Sequence, residues 1–81
     1  MYYTYIVECK DKTYYTGYTC NIEKRIKAHN EGKGAKYTRC RVPVHLVYIE
    51  ESQTKSEAMK REYAIKQLSR KQKEILIQKE E

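Results

Sequence analysis

Five polar side chains stand where the sequence pattern predicts a protein interior: Tyr5, Tyr15, Arg25, His29 and Glu62. The two tyrosines belong to a chain that has nine tyrosines but neither phenylalanine nor tryptophan. A phenylalanine ring fills a core without a hydroxyl that needs a partner, so this composition indicates that some phenols do more than pack. Phenols, a guanidinium, an imidazole and a carboxylate at one place could neutralise an anion and move a proton.

Glu62 lies on the inward face of a helix that opens with the capping box Thr54–Glu57. At the helical period, Ala58 and Ile65 define this face, and Glu62 falls between them. A carboxylate in that place is costly unless its charge is compensated. Either Glu62 pairs with Lys66 at i+4 or lies at the rim, or it is a metal ligand or an acid in a cleft.

Arg25 and His29 border the apolar stripe that Ile22 and Ile26 define on an earlier helix, which Asn21 is expected to cap. A lone histidine on an apolar face is more often a hydrogen-bonded core residue than a catalyst. One helical turn separates this arginine and histidine, however, so together they would aim a fixed cation and a titratable imidazole at one spot.

A β-hairpin is predicted from the strand-like segments Tyr2–Cys9 and Thr13–Thr19, joined by the turn sequence "KDK". With the turn centred there, Tyr5 faces Gly17, and Tyr5 and Tyr15 share one face of the sheet. A change of one residue in the turn would put the two phenols on opposite faces. Gly17 weakens a strand interior unless something approaches it closely.

The order of elements predicts an α+β fold, a small three-stranded antiparallel sheet flanked by helices. The elements follow the order strand, strand, helix, short helix or loop, strand, helix, helix, and residues 1–81 form a single domain. The third strand is expected within 42–51, and the last helix opens with Ser69–Gln72 and runs to about Gln78. The stretch "GKGAKYTRCR" between α-helical and β-strand patterns is either a loop or a short helix.

The net charge is +6, from 17 basic and 11 acidic residues, and it is unevenly placed. Lys24–Arg41 contains seven basic residues and one acid, and a second basic group spans Lys60–Lys73. These are either solvated faces or surfaces that bind phosphates. No apolar run is long enough to span a bilayer, so no membrane association is expected. Three separated cysteines without a CxxC pair predict reduced thiols and a cytoplasmic protein.

Together these residues resemble the GIY-YIG endonuclease family. The first family motif matches "YTY" at Tyr3–Tyr5, and the second matches "YTG" at Tyr15–Gly17. The segment "NIEKRIKAH" has the family's arginine at Arg25 and its frequent histidine at His29, and "AMKREYAIKQL" has its glutamate at Glu62. The specific signal is the order and spacing of the four motifs, because none of them is informative alone.

The resemblance covers nearly the whole chain and is closest to the short, single-domain bacterial branch of the family. Two residues depart from the motifs: Tyr3 replaces the glycine of the first, and Thr16 replaces the middle aliphatic residue of the second. Neither is a proposed catalytic group. Many family nucleases have a separate DNA-targeting domain, for which this chain has no room. Specificity would then come from the domain itself, a homodimer or a targeting partner protein.

The resemblance implies hydrolysis of phosphodiester bonds in DNA, in branched, damaged or single-stranded forms, with one divalent metal. The metal is usually Mg²⁺, with Mn²⁺ as the alternative. Glu62 would hold it, Tyr15 would be the general base or a proton relay, and Arg25 would stabilise charge in the transition state. Tyr5 and His29 would position groups or relay protons. A phenol has an ordinary pKa of about 10, so a neighbouring cation is needed to lower it, and Arg25 is the candidate.

DNA is favoured over RNA as the partner, and six residues are expected to contact it: Gly17, Lys24, Lys33, Lys36, Tyr37 and Arg39. Gly17 would let the substrate backbone come close, and Tyr37 could stack on a base. The alternative hypothesis is a non-catalytic nucleic-acid-binding module on the same scaffold, which the basic stretch supports. A protein-interaction domain that uses exposed tyrosines is a third hypothesis.

Overall fold

The computed structural model describes residues 1–79 as an α+β domain, as the sequence predicts. Its elements are β1 (Tyr2–Glu8), β2 (Tyr14–Thr19), α1 (Ile22–Asn30), β3 (His45–Ser52), α2 (Lys55–Lys66) and α3 (Arg70–Lys79). The last two residues of the predicted 1–81 domain lie outside the described residues. None of the helices within residues 1–79 is long and apolar enough to cross a membrane.

The sheet has the order β2-β1-β3, and both strand pairs are antiparallel. The hairpin register is the predicted one, because Tyr5 pairs with Gly17 and Val7 pairs with Tyr15. The turn is closed by the backbone N–H of Cys9, which donates to the carbonyl of Thr13 over 2.8 Å. Both phenols of the candidate site therefore lie on the same face of the sheet.

Each face of the sheet has its own apolar cluster, because alternate residues of β1 point in opposite directions. Tyr5, Val7, Cys9 and Val44 form the cluster on one face, against which Ile22 and Ile26 of α1 and Tyr15 pack. Ile6, Tyr48 and Ile65 form the other, with Tyr14, Val47, Leu68, Leu76 and Ile77 around them. The helix α1 therefore lies on the face of the two site phenols, and α2 and α3 lie on the opposite face.

β3 begins at His45, later than the start predicted near Val42. The side chain of Asn30 takes the place of a strand neighbour here. The N–H of Val44 donates to Asn30 Oδ1 over 2.7 Å, and Asn30 Nδ2 donates to the carbonyl of Val44 over 3.2 Å. The end of α1 thus fixes the chain just before β3, and the strand ladder starts one residue further on.

The predicted caps are present at the start of all three helices. The backbone N–H groups of Lys24 and Glu57 donate to the side chains of Asn21 and Thr54, respectively. Ser69 and Gln72 form a reciprocal capping box, in which each backbone N–H donates to the other side chain. The stretch 32–41, here called the basic loop, consists of turns, which decides between the two predicted alternatives in favour of a loop.

Candidate active site

The hydroxyl of Tyr5 is the centre of a buried hydrogen-bond chain. Tyr5 lies on the central strand and is 0% exposed. Its hydroxyl oxygen is 2.9 Å from Nε2 of His29, and Nε of Arg25 donates to the same oxygen over 3.3 Å. The predicted convergence of Arg25 and His29 on one spot is therefore confirmed, and the spot is the Tyr5 phenol.

The chain of hydrogen bonds continues from His29 into the basic loop. His29 is also 0% exposed, and its Nδ1 lies 2.7 Å from Oγ1 of Thr38. Thr38 is buried, and its hydroxyl donates to the carbonyl of Ala35 over 3.0 Å. Thr38 was not among the residues predicted from the sequence. In the sequence it is only a small polar residue among the charged residues of the basic loop, and that signal is too weak to distinguish it.

Two glycines let the backbone come close to the side chains that form this hydrogen-bond chain. A Cβ placed on Gly17 would lie 2.6 Å from the hydroxyl oxygen of Tyr5, which is closer than such atoms can approach. A Cβ on Gly34 would overlap the imidazole ring of His29 even more severely. The phenol of Tyr5 is thus one reason for a glycine in mid-strand at position 17, and the expected contact of Gly17 with nucleic acid stays a prediction.

Burial and the charge of Arg25 together set the protonation states of the hydrogen-bonded residues Tyr5 and His29. Burial is the largest cause that raises the pKa of Tyr5, and together with the charges of Tyr15 and Glu62 it outweighs the opposite effect of Arg25. Burial, assisted by the charge of Arg25, lowers the pKa of His29 to about 4, so the imidazole is neutral at neutral pH. The pKa of Arg25 is raised, first by its hydrogen bond to Tyr5. Arg25 is therefore a permanent cation beside a neutral phenol and a neutral imidazole.

Tyr15 lies between this buried hydrogen-bond chain and the surface, and its side chain is partly exposed. Its ring meets the ring of His29 edge-on, with 5.5 Å between centroids, and stacks on the ring of Tyr37 at 5.9 Å. Nζ of Lys66 lies 5.7 Å from the centroid of the Tyr15 ring. Interaction with the Tyr15 phenol is also one of the causes that raise the pKa of Arg25.

Glu62 lies at the rim of the core and not in its centre. Its side chain is 21% exposed, and its Oε1 is 3.8 Å from Nζ of Lys66. The predicted pairing at i+4 is therefore confirmed, while the role of Glu62 as a metal ligand stays a prediction. Its charge contributes to the raised pKa of Tyr5, which places the carboxylate within electrostatic reach of the Tyr5 phenol. Within residues 1–79, no group of three or more histidine, cysteine, aspartate or glutamate side chains could hold a metal ion.

The residues expected to contact nucleic acid lie mostly on the surface. Five of them are exposed, namely Lys24, Lys33, Lys36, Tyr37 and Arg39, whereas Gly17 is buried. The ring of Tyr37 already contacts Tyr15, and the guanidinium of Arg41 lies 4.1 Å from its centroid. Arg41 in turn donates to Asp11 over 3.0 Å. The fold thus brings Tyr5, Tyr15, Arg25 and His29 together and leaves the basic loop beside them.

Residues 1–75 match the family model of the GIY-YIG catalytic domain. A UPF0213 protein of Halobacterium salinarum is 59% identical over 77 residues, which is 95% of this chain and 100% of that protein. A UPF0213 protein of Clostridium perfringens is 62% identical over 95% of this chain and 83% of its own length.

Solved structures of similar proteins have the same fold. The solution NMR structure of a UPF0213 protein from Bacillus halodurans matches with a TM-score of 0.61 and 53% identity. It covers 96% of this chain and 84% of that one. The solution NMR structure of a protein from E. faecalis matches with a TM-score of 0.64 and 45% identity, covering 96% of this chain and 83% of its own.

Proposed function

This chain belongs to the GIY-YIG catalytic domain family, and from that premise we propose that it is an endonuclease that hydrolyses phosphodiester bonds in DNA with a divalent metal. The observation that carries the proposal is the placement of the Arg25 guanidinium on the Tyr5 phenol, next to Tyr15 and His29. Hydrolysis of a phosphodiester needs positive charge at the phosphate and a group that takes a proton from water. A fixed cation beside phenols of different exposure is suited to both tasks.

The exposures of the side chains suggest how the tasks are divided. Tyr15 is partly exposed, so its hydroxyl can meet a substrate and act as the general base or a proton relay. Arg25 is partly exposed and permanently charged, so it stabilises negative charge that develops on the phosphate. Tyr5 and His29 are buried, so they act through these two residues by holding their positions and their protons.

Glu62 is the proposed metal ligand, and its surroundings fit a magnesium ion. It provides one carboxylate, a hard oxygen ligand that is partly shielded from water. Mg²⁺ keeps several water ligands and is often bound through one or two carboxylates together with substrate phosphates. Mn²⁺ accepts the same oxygen donors. When bound, such an ion would neutralise charge on the phosphate oxygens. Without it, Lys66 balances the charge of Glu62.

The proposed DNA-binding surface combines the basic loop with the start of α1. Lys33, Lys36 and Arg39 would contact the phosphate backbone, and Lys24 would extend this surface along α1. Tyr37 and Gly17 would contact the substrate closer to Tyr15. Free thiols at Cys9, Cys20 and Cys40 agree with a reducing compartment such as the cytoplasm. A homodimer or a targeting partner protein could supply specificity that this small surface lacks.

The test is a cleavage assay with the purified protein. Labelled single-stranded, duplex, flapped and branched DNA, and the matching RNA, are incubated with Mg²⁺, Mn²⁺ or EDTA. The variants Glu62→Gln and Tyr15→Phe are compared with the parent. We expect metal-dependent cleavage by the parent and its loss in both variants. Losing a general base or acid typically lowers the rate by about 10²–10⁴-fold.

Two matched controls separate chemistry from folding. Tyr14→Phe removes the neighbouring phenol, which packs on the opposite face of the sheet, and should leave cleavage unchanged. Glu57→Gln removes an exposed carboxylate from the first turn of the same helix as Glu62. Loss of cleavage in the controls and the site variants alike would contradict the proposed roles of Glu62 and Tyr15.

The second candidate is a nucleic-acid-binding module without catalysis. The exposed charges of the basic loop favour it, because they suffice for binding without a metal. Salt-sensitive binding that persists in EDTA and in Glu62→Gln, with no cleavage of any substrate, would support this alternative against the nuclease.

A further inference from the structure

The hydrogen-bond chain through Tyr5 and His29 has a direction, because both of its ends have a fixed polarity. At one end, Nε of Arg25 can only donate, and it donates to the Tyr5 oxygen. At the other end, the carbonyl of Ala35 can only accept, and it accepts from the hydroxyl of Thr38. Every hydrogen between these ends must fit both constraints.

Following the chain from either end gives the same tautomer of His29. The Tyr5 hydroxyl needs an acceptor, and among the described residues Nε2 of His29 lies within reach at 2.9 Å. Nε2 must then carry no hydrogen. From the other end, Thr38 has given its one hydrogen to Ala35, so its oxygen can only accept from Nδ1 of His29 at 2.7 Å. Nδ1 must then carry the hydrogen.

We propose that Thr38 is a positioning residue that fixes His29 as its Nδ1–H tautomer and so points the Tyr5 hydroxyl hydrogen inward, onto Nε2. The lone pairs of the Tyr5 oxygen that remain are then available to Arg25. Thr38 thereby holds the guanidinium in place through two intermediate side chains, although it lies in the basic loop and, among the described residues, forms its side-chain hydrogen bonds with His29 and Ala35 and not with a phenol. Its catalytic consequence rests on the proposed nuclease function, whereas the tautomer itself does not.

Gly34 gives the basic loop the close approach that this arrangement needs. A side chain at position 34 would overlap the His29 ring around Nδ1, the same nitrogen that bonds to Thr38. Gly34 and Thr38 thus form a socket on one edge of the imidazole, one by lacking a side chain and the other by supplying an acceptor. The exposed Lys36 and Arg39 flank Thr38, so the loop segment that would meet DNA also sets the tautomer.

The first test is NMR spectroscopy of ¹⁵N-labelled protein, in which the two ring nitrogens of His29 are assigned at neutral pH. We expect the signal of a protonated Nδ1 and an unprotonated Nε2 in the parent and in Thr38→Ser, which keeps the hydroxyl. Thr38→Val keeps the volume but leaves Nδ1–H without an acceptor, so the population of the Nε2–H tautomer should rise even though the Tyr5 hydroxyl still favours an unprotonated Nε2. A parent spectrum with Nε2 protonated would overturn the proposal, as would an unchanged tautomer in Thr38→Val.

Thr16→Val is the matched control, because Thr16 is also buried but lies on the other face of the sheet. Its hydroxyl has no hydrogen-bond partner among the described residues, so its replacement should leave the His29 spectrum as in the parent. A tautomer shift in Thr16→Val as large as that in Thr38→Val would overturn the specific role of Thr38. Gly34→Ala should alter the same two nitrogen signals, and an unaltered spectrum would count against the socket.

The second test is kinetic. For a parent enzyme that cleaves DNA, we expect Thr38→Val to lower kcat about tenfold or more with little change in KM, and Thr38→Ser to restore most of it. A parent-like kcat in Thr38→Val would overturn the proposed positioning role. A parent that shows the expected tautomer but cleaves no substrate would contradict the nuclease proposal and leave the tautomer assignment supported.

Discussion

Nε of Arg25 lies 3.3 Å from the hydroxyl oxygen of Tyr5, so the cation of the candidate site is anchored on a phenol that is itself buried. This anchor uses Nε of the guanidinium, and the guanidinium also interacts with the Tyr15 phenol, so its outer donors face the place where Tyr15 and a bound anion would meet. A lysine ammonium is a single point charge and cannot hold an inner oxygen and an outer phosphate in the same fixed geometry.

Arg25→Lys should therefore reduce cleavage although the positive charge is kept. We expect kcat to fall by about 10²–10³-fold, the usual result of removing one donor that stabilises a developing negative charge. Single-turnover cleavage measures the chemical step, and Arg70→Lys at the start of α3 is the control for a conservative change at an exposed arginine. Equal kcat values for parent and Arg25→Lys would show that charge alone is needed at this position.

Gly17→Ala should destabilise the protein because the new methyl group would meet the Tyr5 hydroxyl. We expect a loss of about 1–3 kcal/mol in the free energy of unfolding, as for other overpacked sites. Tyr5→Leu removes the opposing atoms, so the double variant should lose less than the sum of the two single losses. Denaturant unfolding of all four proteins gives the coupling energy. If the losses of unfolding free energy in the two single variants add up in the double variant, the new methyl group at position 17 does not clash with Tyr5.

The stability of the protein should fall in acid because His29 is buried in its neutral form. In the folded protein its pKa is about 4, whereas an unfolded chain binds this proton near pH 6.5. The unfolded state therefore takes up the proton first, and stability is lost as the pH falls from about 6.5 to about 4. This group contributes a loss of up to about 3 kcal/mol across that window.

His29→Gln isolates the contribution of this histidine. The parent and the variant are unfolded with denaturant at several pH values, and the difference between their unfolding free energies should shrink as the pH falls through this window. His45→Gln removes the exposed histidine of β3 and should keep the pH profile of the parent. A constant difference between parent and His29→Gln would show that His29 does not titrate on unfolding in this range.

Binding of DNA should depend on salt through the charges of the basic loop. In Lys36→Gln and Arg39→Gln, the slope of log affinity against log salt concentration should become shallower by about 1 for each phosphate that the removed charge had neutralised. Fluorescence anisotropy in EDTA measures binding without cleavage. Lys55→Gln at the start of α2 is the control. Parent-like slopes in both loop variants would show that the basic loop is not the DNA-binding surface.

Local sequence patterns were sufficient to predict much of the fold and the core of the candidate site. The strand period and a short turn set the pairing of Tyr5 with Gly17, and the helical period put Arg25 and His29 on one face of α1. The two predictions agree with the structure, in which His29 and Arg25 both form hydrogen bonds with the Tyr5 hydroxyl. Periodicity works here because both elements pack on the same sheet face and leave little freedom for their side chains.

The contacts made by the loops could not be predicted in the same way. Thr38 and Gly34 meet His29 only because of the path that the basic loop takes after α1, and no period describes such a path. The hydrogen bonds between the Asn30 side chain and the Val44 backbone, after which β3 begins, also join two segments that are not neighbours in the sequence. For Glu62, the helical period gave the face but not the exact depth, so the rim position needed the packed structure.

The anchoring of the basic loop has a consequence for recognition. Thr38 is tied to His29, and Arg41 is tied both to Asp11 and to the carbonyl of Tyr37, so this glycine-containing loop is already ordered at several points. A flexible loop loses conformational entropy when it binds, and that loss weakens affinity. This loop has given up much of that freedom on folding. A polyanion would therefore meet preorganised charges, and more of its Coulombic attraction would appear as affinity.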